Sequence, residues 1–422
     1  MNEKEIIMND PHKNWKKDTA LFLTSQIISI FGTSLVQYAI MWYITIKTQS
    51  GFMMTISIVC GFLPTFFLAP FGGVWADRFD RKKLIMLSDG MIALTTLATA
   101  IVFWMGYEAI WLLFFMSAMR AVGSAIQAPA VGAFLPQIVP ENQLMRVNGI
   151  NGSIQSVIML ISPMISGALM TLSPLTTIFM IDVVTALLAV IVLLGLKVAP
   201  HARALEKGKI DYFKDLKEGV AYVVGHEYIR RFFVFIAFFH FLITPVATLT
   251  PLQVTRTFGN DIWRLTAIEI AFSIGMLIGG ILMSSWGGFK NRVHTMALST
   301  FLFGGLTTFL GITPNFWVYL ATIALSGIAL PLFMTPSTVL LQEKVEDAYL
   351  GRVFSVMTMI FSVMMPFGMI IFGPLADIID IEYLLIVTGI AIFIQGFFLT
   401  GSKELIAAGE PKLPLSPAPE SE

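Results

Sequence analysis

The chain has 422 residues, with 27 Lys plus Arg against 27 Asp plus Glu, so its formal net charge is zero. Only 13% of residues are charged and 56% are hydrophobic, about half the charge of an ordinary soluble domain, and the mean hydropathy is +0.78. These figures exclude a soluble globular protein, the missing net charge argues against a nucleic-acid partner, and a single cysteine, Cys60, excludes an internal disulfide or a cysteine-built zinc site.

The stretch from Met1 to Lys17 is polar and mixed in charge. It has no apolar core followed by a small-residue cleavage site, so it does not read as a signal peptide, and 1–18 is expected to be a cytoplasmic tail. Twelve apolar runs then follow, at 19–46, 52–76, 84–105, 110–134, 147–170, 174–196, 231–255, 264–286, 293–313, 315–340, 353–376 and 383–401. Each is long enough to cross a bilayer, which takes about 20 residues. The widest gap, 197–230, is charged, and Asp211 to Tyr222 within it reads as an amphipathic helix. The pattern predicts an all-α membrane protein of twelve transmembrane helices in two six-helix bundles, 19–196 and 231–401, joined by a cytoplasmic linker. The tail 402–422, with Pro411, Pro414, Pro417 and Pro419, is expected to be disordered and cytoplasmic.

Lys and Arg in the loops set orientation. With the N-terminus inside, only Lys47, Arg256 and Arg264 fall in outside loops, and Arg120 falls within a span. Both termini are therefore expected in the cytoplasm. The halves also look related. Gly73 and Asp77 at the end of span 2 correspond to Gly280 and Ser284 at the end of span 8, and Pro129-Ala130 corresponds to Pro336-Ser337 at the same offset. Pseudo-symmetric halves with a substrate site near the midplane are a transporter architecture. The second copy has lost its acid at Ser284, so the halves are not equivalent.

The loop after span 2 reads Gly73-Val-Trp-Ala-Asp77-Arg78-Phe-Asp80-Arg81-Lys82-Lys83. It resembles the signature loop of the major facilitator superfamily, Gly-x-x-x-Asp-Arg/Lys-x-Gly-Arg-Arg/Lys, and departs from it at Asp80. The resemblance implies a cytoplasmic gate. Asp77 would face the positive end of span 11, which begins near Arg352. Arg78, Arg81 and Lys82 would pair with carboxylates such as Glu141, Glu343 or Asp347 and part when the gate opens. The plainer role of the cations is to fix topology, although acids such as Asp77 contribute little to that. Ser162-Pro163-x-x-x-Gly167 in span 5 resembles, incompletely, the Gly-Pro motif of drug exporters of the superfamily. Gly275-x-x-x-Gly279 in span 8 is a small-residue groove. A span weakened by Pro163 against that groove suits helix gating, and tight packing is the alternative.

Ionisable groups within spans are costly, about 2.5–3.5 kcal/mol at the centre. Arg120 lies about 15 Å into span 4, and Arg120-Ala-Val-Gly123 resembles the span 4 motif linked to proton coupling in exporters. Asp182 in span 6 and Asp89 in span 3 are its candidate partners. A carboxyl whose Arg partner comes and goes takes up and releases a proton. A buried structural ion pair is the alternative. Glu269, about one and a half turns into span 8, is a further candidate for proton coupling or simply faces the outer vestibule. In the superfamily's fold, spans 1, 4, 7 and 10 line the cavity. That implies cavity positions for Gln26, Gln37, Tyr38 and Trp42 of span 1 and for His240 of span 7, which is otherwise a packing histidine. The 35 Phe and 24 Met suit a cavity that accepts varied apolar shapes.

The match runs from about Asn14 to Lys403. Phe62-Leu-Pro-Thr-Phe66, Gly275-Met-Leu-Ile-Gly-Gly280 and Tyr349-Leu-Gly-Arg-Val-Phe-Ser355 resemble the superfamily's drug:proton antiporters, among them the bacterial macrolide-efflux proteins. The resemblance implies a monomer in the bacterial cell membrane that exports amphipathic antibiotics against inward proton flow, with no cofactor and no metal. No phosphate loop is present, so ATP is not the fuel, and no nucleophile-base constellation marks an enzyme. The alternatives are export of another solute (a siderophore, lysolipid, tetracycline or metabolite) and a non-transporting receptor or scaffold.

Overall fold

The computed structural model describes residues 14–196, 198 and 212–410. The first part of the N-terminal tail, 199–211 of the linker and the proline-rich end lie outside the described residues. Six helices come first: α1 (Trp15–Thr48), α2 (Gly51–Arg78), α3 (Arg81–Trp104), α4 (Ile110–Ile138), α5 (Leu144–Leu172) and α6 (Leu175–Leu194). The linker helix α7 (Tyr212–Gly225) follows. Then come α8 (residues 227–257), α9 (Ile262–Trp286), α10 (Arg292–Leu310), α11 (Phe316–Lys344), α12 (Asp347–Leu375), α13 (Ile381–Gly401) and the short α14 (Lys403–Gly409). Among the described residues twelve helices are long and apolar enough to cross a membrane, and the chain is a multi-pass membrane protein.

Helix starts follow side-chain caps. Ser50 accepts from the Met53 amide, Asp80 from Lys83, Asn291 from Val293, and Asn315 from Trp317 and Val318. Each satisfies a donor that the first helical turn leaves open. The Asp80 cap accounts for the departure from the signature loop, because a glycine there has no side chain to start α3. Helix α8 widens to a π turn at Pro245–Leu249, where Pro245 supplies no amide to the helical ladder.

The described residues divide into two compact units, one of 1–210 with Val254–Ile270 and one of Asp211–Gln253 with 271–422. The end of α8 and the start of α9 thus group with the first six helices. In the first unit α2 packs on α4, α1 on α5 and α6, and α3 on α4 and α6. A Cβ added at Gly72 would lie 3.1 Å from Pro129 and nearer still to the Ala125 carbonyl, so α2 and α4 approach closely there. In the second unit α8 and α7 pack on α12, and α10 packs on α11 and α13. A Cβ at Gly275 or Gly279 would lie 3.0 Å from backbone atoms of Ala324 and Ile328 respectively. The small-residue groove of α9 therefore holds α11.

The tail expected to be disordered from residue 402 begins with an ordered helix instead. Leu405 of α14 is buried, Arg231 pairs with Glu404 at 2.9 Å, and the Asn291 amide donates to the Ile406 carbonyl at 2.8 Å. One apolar anchor and two polar contacts hold a segment that its composition alone does not mark.

Candidate functional site

Four helices of the first unit bring polar side chains into an otherwise apolar interior. Asp89 and Thr96 lie two turns apart on α3, and Arg120 and Gln127 lie two turns apart on α4. That spacing puts each pair on one helix face. The two faces meet in two rungs. Gln127 donates to Asp89 Oδ1 at 2.8 Å, and Arg120 Nη1 donates to Thr96 Oγ1 at 2.8 Å. From α6, Asp182 Oδ2 accepts from Arg120 Nη1 at 2.5 Å and from Thr96 at 3.2 Å. From α1, Ser29 donates to Asp89 Oδ1 at 2.8 Å, and the Thr33 carbonyl accepts from Arg120 Nη2 at 3.3 Å. A Cβ at Gly32 would sit 3.1 Å from Asp182 Oδ1, so the small residue on α1 leaves room for the carboxylate.

Asp182, Asp89 and Arg120 are 1%, 3% and 7% exposed. The two acids differ in how they are held. Asp182 has a guanidinium and a hydroxyl. Asp89 has two neutral donors, both on one oxygen, and its Oδ2 is enclosed without a partner. Ser88 Oγ and Gln26 Nε2 on the same helices are also enclosed and unsatisfied. Two carboxylates stand against one guanidinium, so the cluster's formal charge is zero with one proton bound and minus one without it.

The remaining candidates fall elsewhere. Glu269 is half-buried in the part of α9 that belongs to the first unit. Of the span 1 residues expected at the cavity, Gln37 is exposed and Tyr38 half-buried, but Gln26 and Trp42 are enclosed at 4% and 0%. Gln26 and Trp42 therefore meet neighbouring helices instead of open space. His240 stacks on Phe361 at 4.1 Å and its Nδ1–H donates to the Ile236 carbonyl at 3.0 Å, which is the geometry of a packing histidine. Pro163 is buried in α5, and a Cβ at Gly167 would meet Thr266 at 3.0 Å.

The basic loop is tied to its own unit. Arg81 donates to the Ala76 and Ala133 carbonyls at 3.1 and 2.8 Å, and Lys82 to the Leu194 and Leu196 carbonyls at 3.3 and 2.8 Å. Both cations thus sit at helix C-terminal ends, where open carbonyls and the dipole favour them. Asp77 is exposed and lies 3.8 Å from Arg81, and Arg78 is exposed. Glu343 pairs with Arg292 at 3.2 Å. Arg352 pairs with Glu218 of α7 at 3.2 Å, and Tyr222 of α7 stacks on Tyr349 at 4.6 Å. The side chain of Asp347 lies outside the described residues.

Sequence reasoning missed Ser29, Thr33, Thr96 and Gln127. The two-turn spacing from Asp89 and from Arg120 was the available signal for Thr96 and Gln127. Nothing in composition marks Ser29 or the Thr33 carbonyl.

A family model described as a transmembrane secretion effector matches residues 16–412. The chain is 30% identical over 383 residues to Macrolide efflux protein A of Streptococcus pyogenes, covering 90% of this chain and 94% of that protein. It is 23% identical over 385 residues to the Staphyloferrin A transporter of Staphylococcus aureus, covering 88% and 93%. Among solved structures, a bacterial homologue of the iron transporter ferroportin in an inward-facing state aligns with a TM-score of 0.70 at 16% identity, over 92% of this chain and 99% of that one.

Proposed function

We propose a drug-exporting role for this chain, which belongs to the transmembrane secretion effector family of the major facilitator superfamily and is not an enzyme. The substrate is an amphipathic drug, most simply a macrolide, and export is driven by protons entering in exchange through alternating access of the two six-helix halves. The observation that carries the proton half of this reading is the Arg120–Asp182 pair with Asp89 beside it. All three charges are enclosed, at a depth where charge is retained for function. Likeness to Macrolide efflux protein A supports the drug half. The Staphyloferrin A transporter represents a rival cargo, an anionic siderophore. That cargo needs spare cations, and Arg120 is already neutralised by Asp182. The charge bias of the loops supports a bacterial cell membrane location with both termini cytoplasmic, and the chain is taken to work as a monomer.

Proton driving force of 100 mV supplies about 2.3 kcal/mol per charge, enough for a roughly 50-fold drug gradient. Expression in a drug-sensitive bacterial strain is expected to raise the inhibitory concentration of macrolides, and a protonophore is expected to abolish intracellular drug exclusion. Exclusion that survives the protonophore would contradict proton coupling.

The loop of Gly73, Asp77, Arg78, Arg81 and Lys82 serves as the cytoplasmic gate, with Arg352 at the start of α12 its counterpart in the second half. Pro163 and Gly167 of α5 and Gly275 and Gly279 of α9 are positions that bend or slide as the gate works. Asp77 is the loop's exposed acid, held only by the 3.8 Å pairing with Arg81. The Asp77→Asn variant is expected to fold normally, to lower transport several-fold and to raise labelling of cysteines placed at the cytoplasmic mouth. Unchanged transport together with unchanged labelling would remove the gate role.

A further inference from the structure

We propose that Thr96 is the positioning residue of the charged cluster. It ties the Arg120–Asp182 pair to α3, the helix that carries Asp89, and passes its hydroxyl hydrogen between two acceptors as the pair closes and opens. The inference rests on the export reading and deepens it by naming the link between the two acids. Other threonines in the spans spend their hydrogen inside their own helix. Thr95 donates to the Met91 carbonyl at 2.9 Å, Thr99 to Thr95 at 3.0 Å and Thr322 to Val318 at 2.8 Å. Thr96 makes the same bond, to the Ile92 carbonyl at 2.9 Å, but two further groups reach its oxygen. Arg120 Nη1 donates to it at 2.8 Å, and Asp182 Oδ2 stands at 3.2 Å as a second acceptor. A hydroxyl carries a single hydrogen, so it serves Ile92 or Asp182, and a turn about the Cβ–Oγ1 bond decides which. No helix has to move for that change.

With the pair closed, Asp182 Oδ2 has Arg120 at 2.5 Å, and the hydrogen rests on the nearer Ile92 carbonyl. When the guanidinium is drawn off, Thr96 is the donor left to a carboxylate that is enclosed among the helices. A buried acceptor stripped of every donor is costly, so Thr96 lowers the cost of the open pair. Thr96 also lies two turns from Asp89 on one face of α3. Asp89 is anchored to α1 by Ser29 and to α4 by Gln127. A shift of α3 that follows proton uptake at Asp89 carries Thr96 with it, and so changes its reach to Arg120 and Asp182.

Vesicles reconstituted with the purified full-length chain, in which a labelled macrolide and internal pH are followed together, test this. Thr96→Val keeps the branched shape and removes the hydroxyl, whereas Thr96→Ser keeps the hydroxyl. In Thr96→Val the protons moved per drug molecule are expected to fall about tenfold, equivalent to about 1.4 kcal/mol, while the drug still equilibrates down its gradient. Thr96→Ser is expected to restore the ratio to within about twofold of the unmodified protein. A side chain that only packs would lower drug and proton flux together and leave their ratio alone. An unchanged ratio in Thr96→Val, or a ratio in Thr96→Ser as low as in Thr96→Val, would overturn the role. If Thr96→Val fails to fold, Thr96→Ala replaces it with the same two readings. Drug flux without proton movement in the unmodified protein would overturn the antiport reading, and the role of Thr96 with it.

Discussion

The Arg120→Met variant is expected to be destabilised by about 3–5 kcal/mol, the usual penalty for leaving one member of a buried ion pair behind, and to lose export entirely. Arg120 makes three contacts, to Asp182, Thr96 and the Thr33 carbonyl. Removing it leaves Asp182, at 1% exposure, with only the Thr96 hydroxyl. Asp182→Asn does less harm, because the amide still accepts from Arg120, but the guanidinium loses its counter-charge. The informative companion is Arg120→Met with Asp182→Leu. Replacing both members of a buried pair by apolar side chains is often neutral or stabilising, so the double variant is expected to regain most of the lost thermal stability in detergent while remaining unable to export. A single variant as stable as the unmodified protein would mean that the pair is not what holds α1, α3, α4 and α6 in register. A double variant that exports normally would remove the pair from the mechanism.

Asp89→Asn is expected to have the opposite profile, with stability nearly intact and proton coupling lost. The substitution preserves the shape of the acid. Its oxygen can still accept from Ser29 and Gln127, and its amide stands where the unpartnered Oδ2 now lies. It mimics the protonated carboxyl and cannot release the proton. Drug binding and down-gradient drug exchange are expected to persist in reconstituted vesicles. Accumulation driven by an imposed gradient is expected to fall from as much as roughly 50-fold to equilibration. Full accumulation in Asp89→Asn would transfer the proton to Asp182 or Glu269. The asymmetry between the two acids is the reason to expect this outcome. Asp182 already has a guanidinium as its counter-charge, whereas Asp89 has only neutral donors and a bare oxygen, so no charge in the cluster is left to offset it.

The twelve spans and the superfamily were legible because bilayer length and loop motifs are local properties of sequence. The choice of Asp182 as Arg120's partner was not. Asp89 and Asp182 both lie within reach along the membrane normal, and only the rotation of α3 and α6 decides which one meets the guanidinium. Rotation matters in the same way for α1, since one residue turns a helix face by about 100°. It places Trp42 inside while leaving Gln37 exposed. Ser29 and Gln127 were overlooked because uncharged polar residues are common in spans and reveal themselves only by the acid they bind. The carbonyl contacts of Arg81 and Lys82 were overlooked for a related reason. Open carbonyls at helix ends compete with carboxylates for cations, and they carry no signature in sequence.

Proton movement on drug addition tests proton–drug exchange most directly. Purified protein in vesicles loaded with a pH-sensitive dye is given a macrolide on one side with no imposed gradient. Drug influx is expected to alkalinise the vesicle interior as protons leave in exchange, with the signal abolished in Asp89→Asn although the drug still equilibrates. Drug flux in the unmodified protein with no accompanying pH change would contradict antiport.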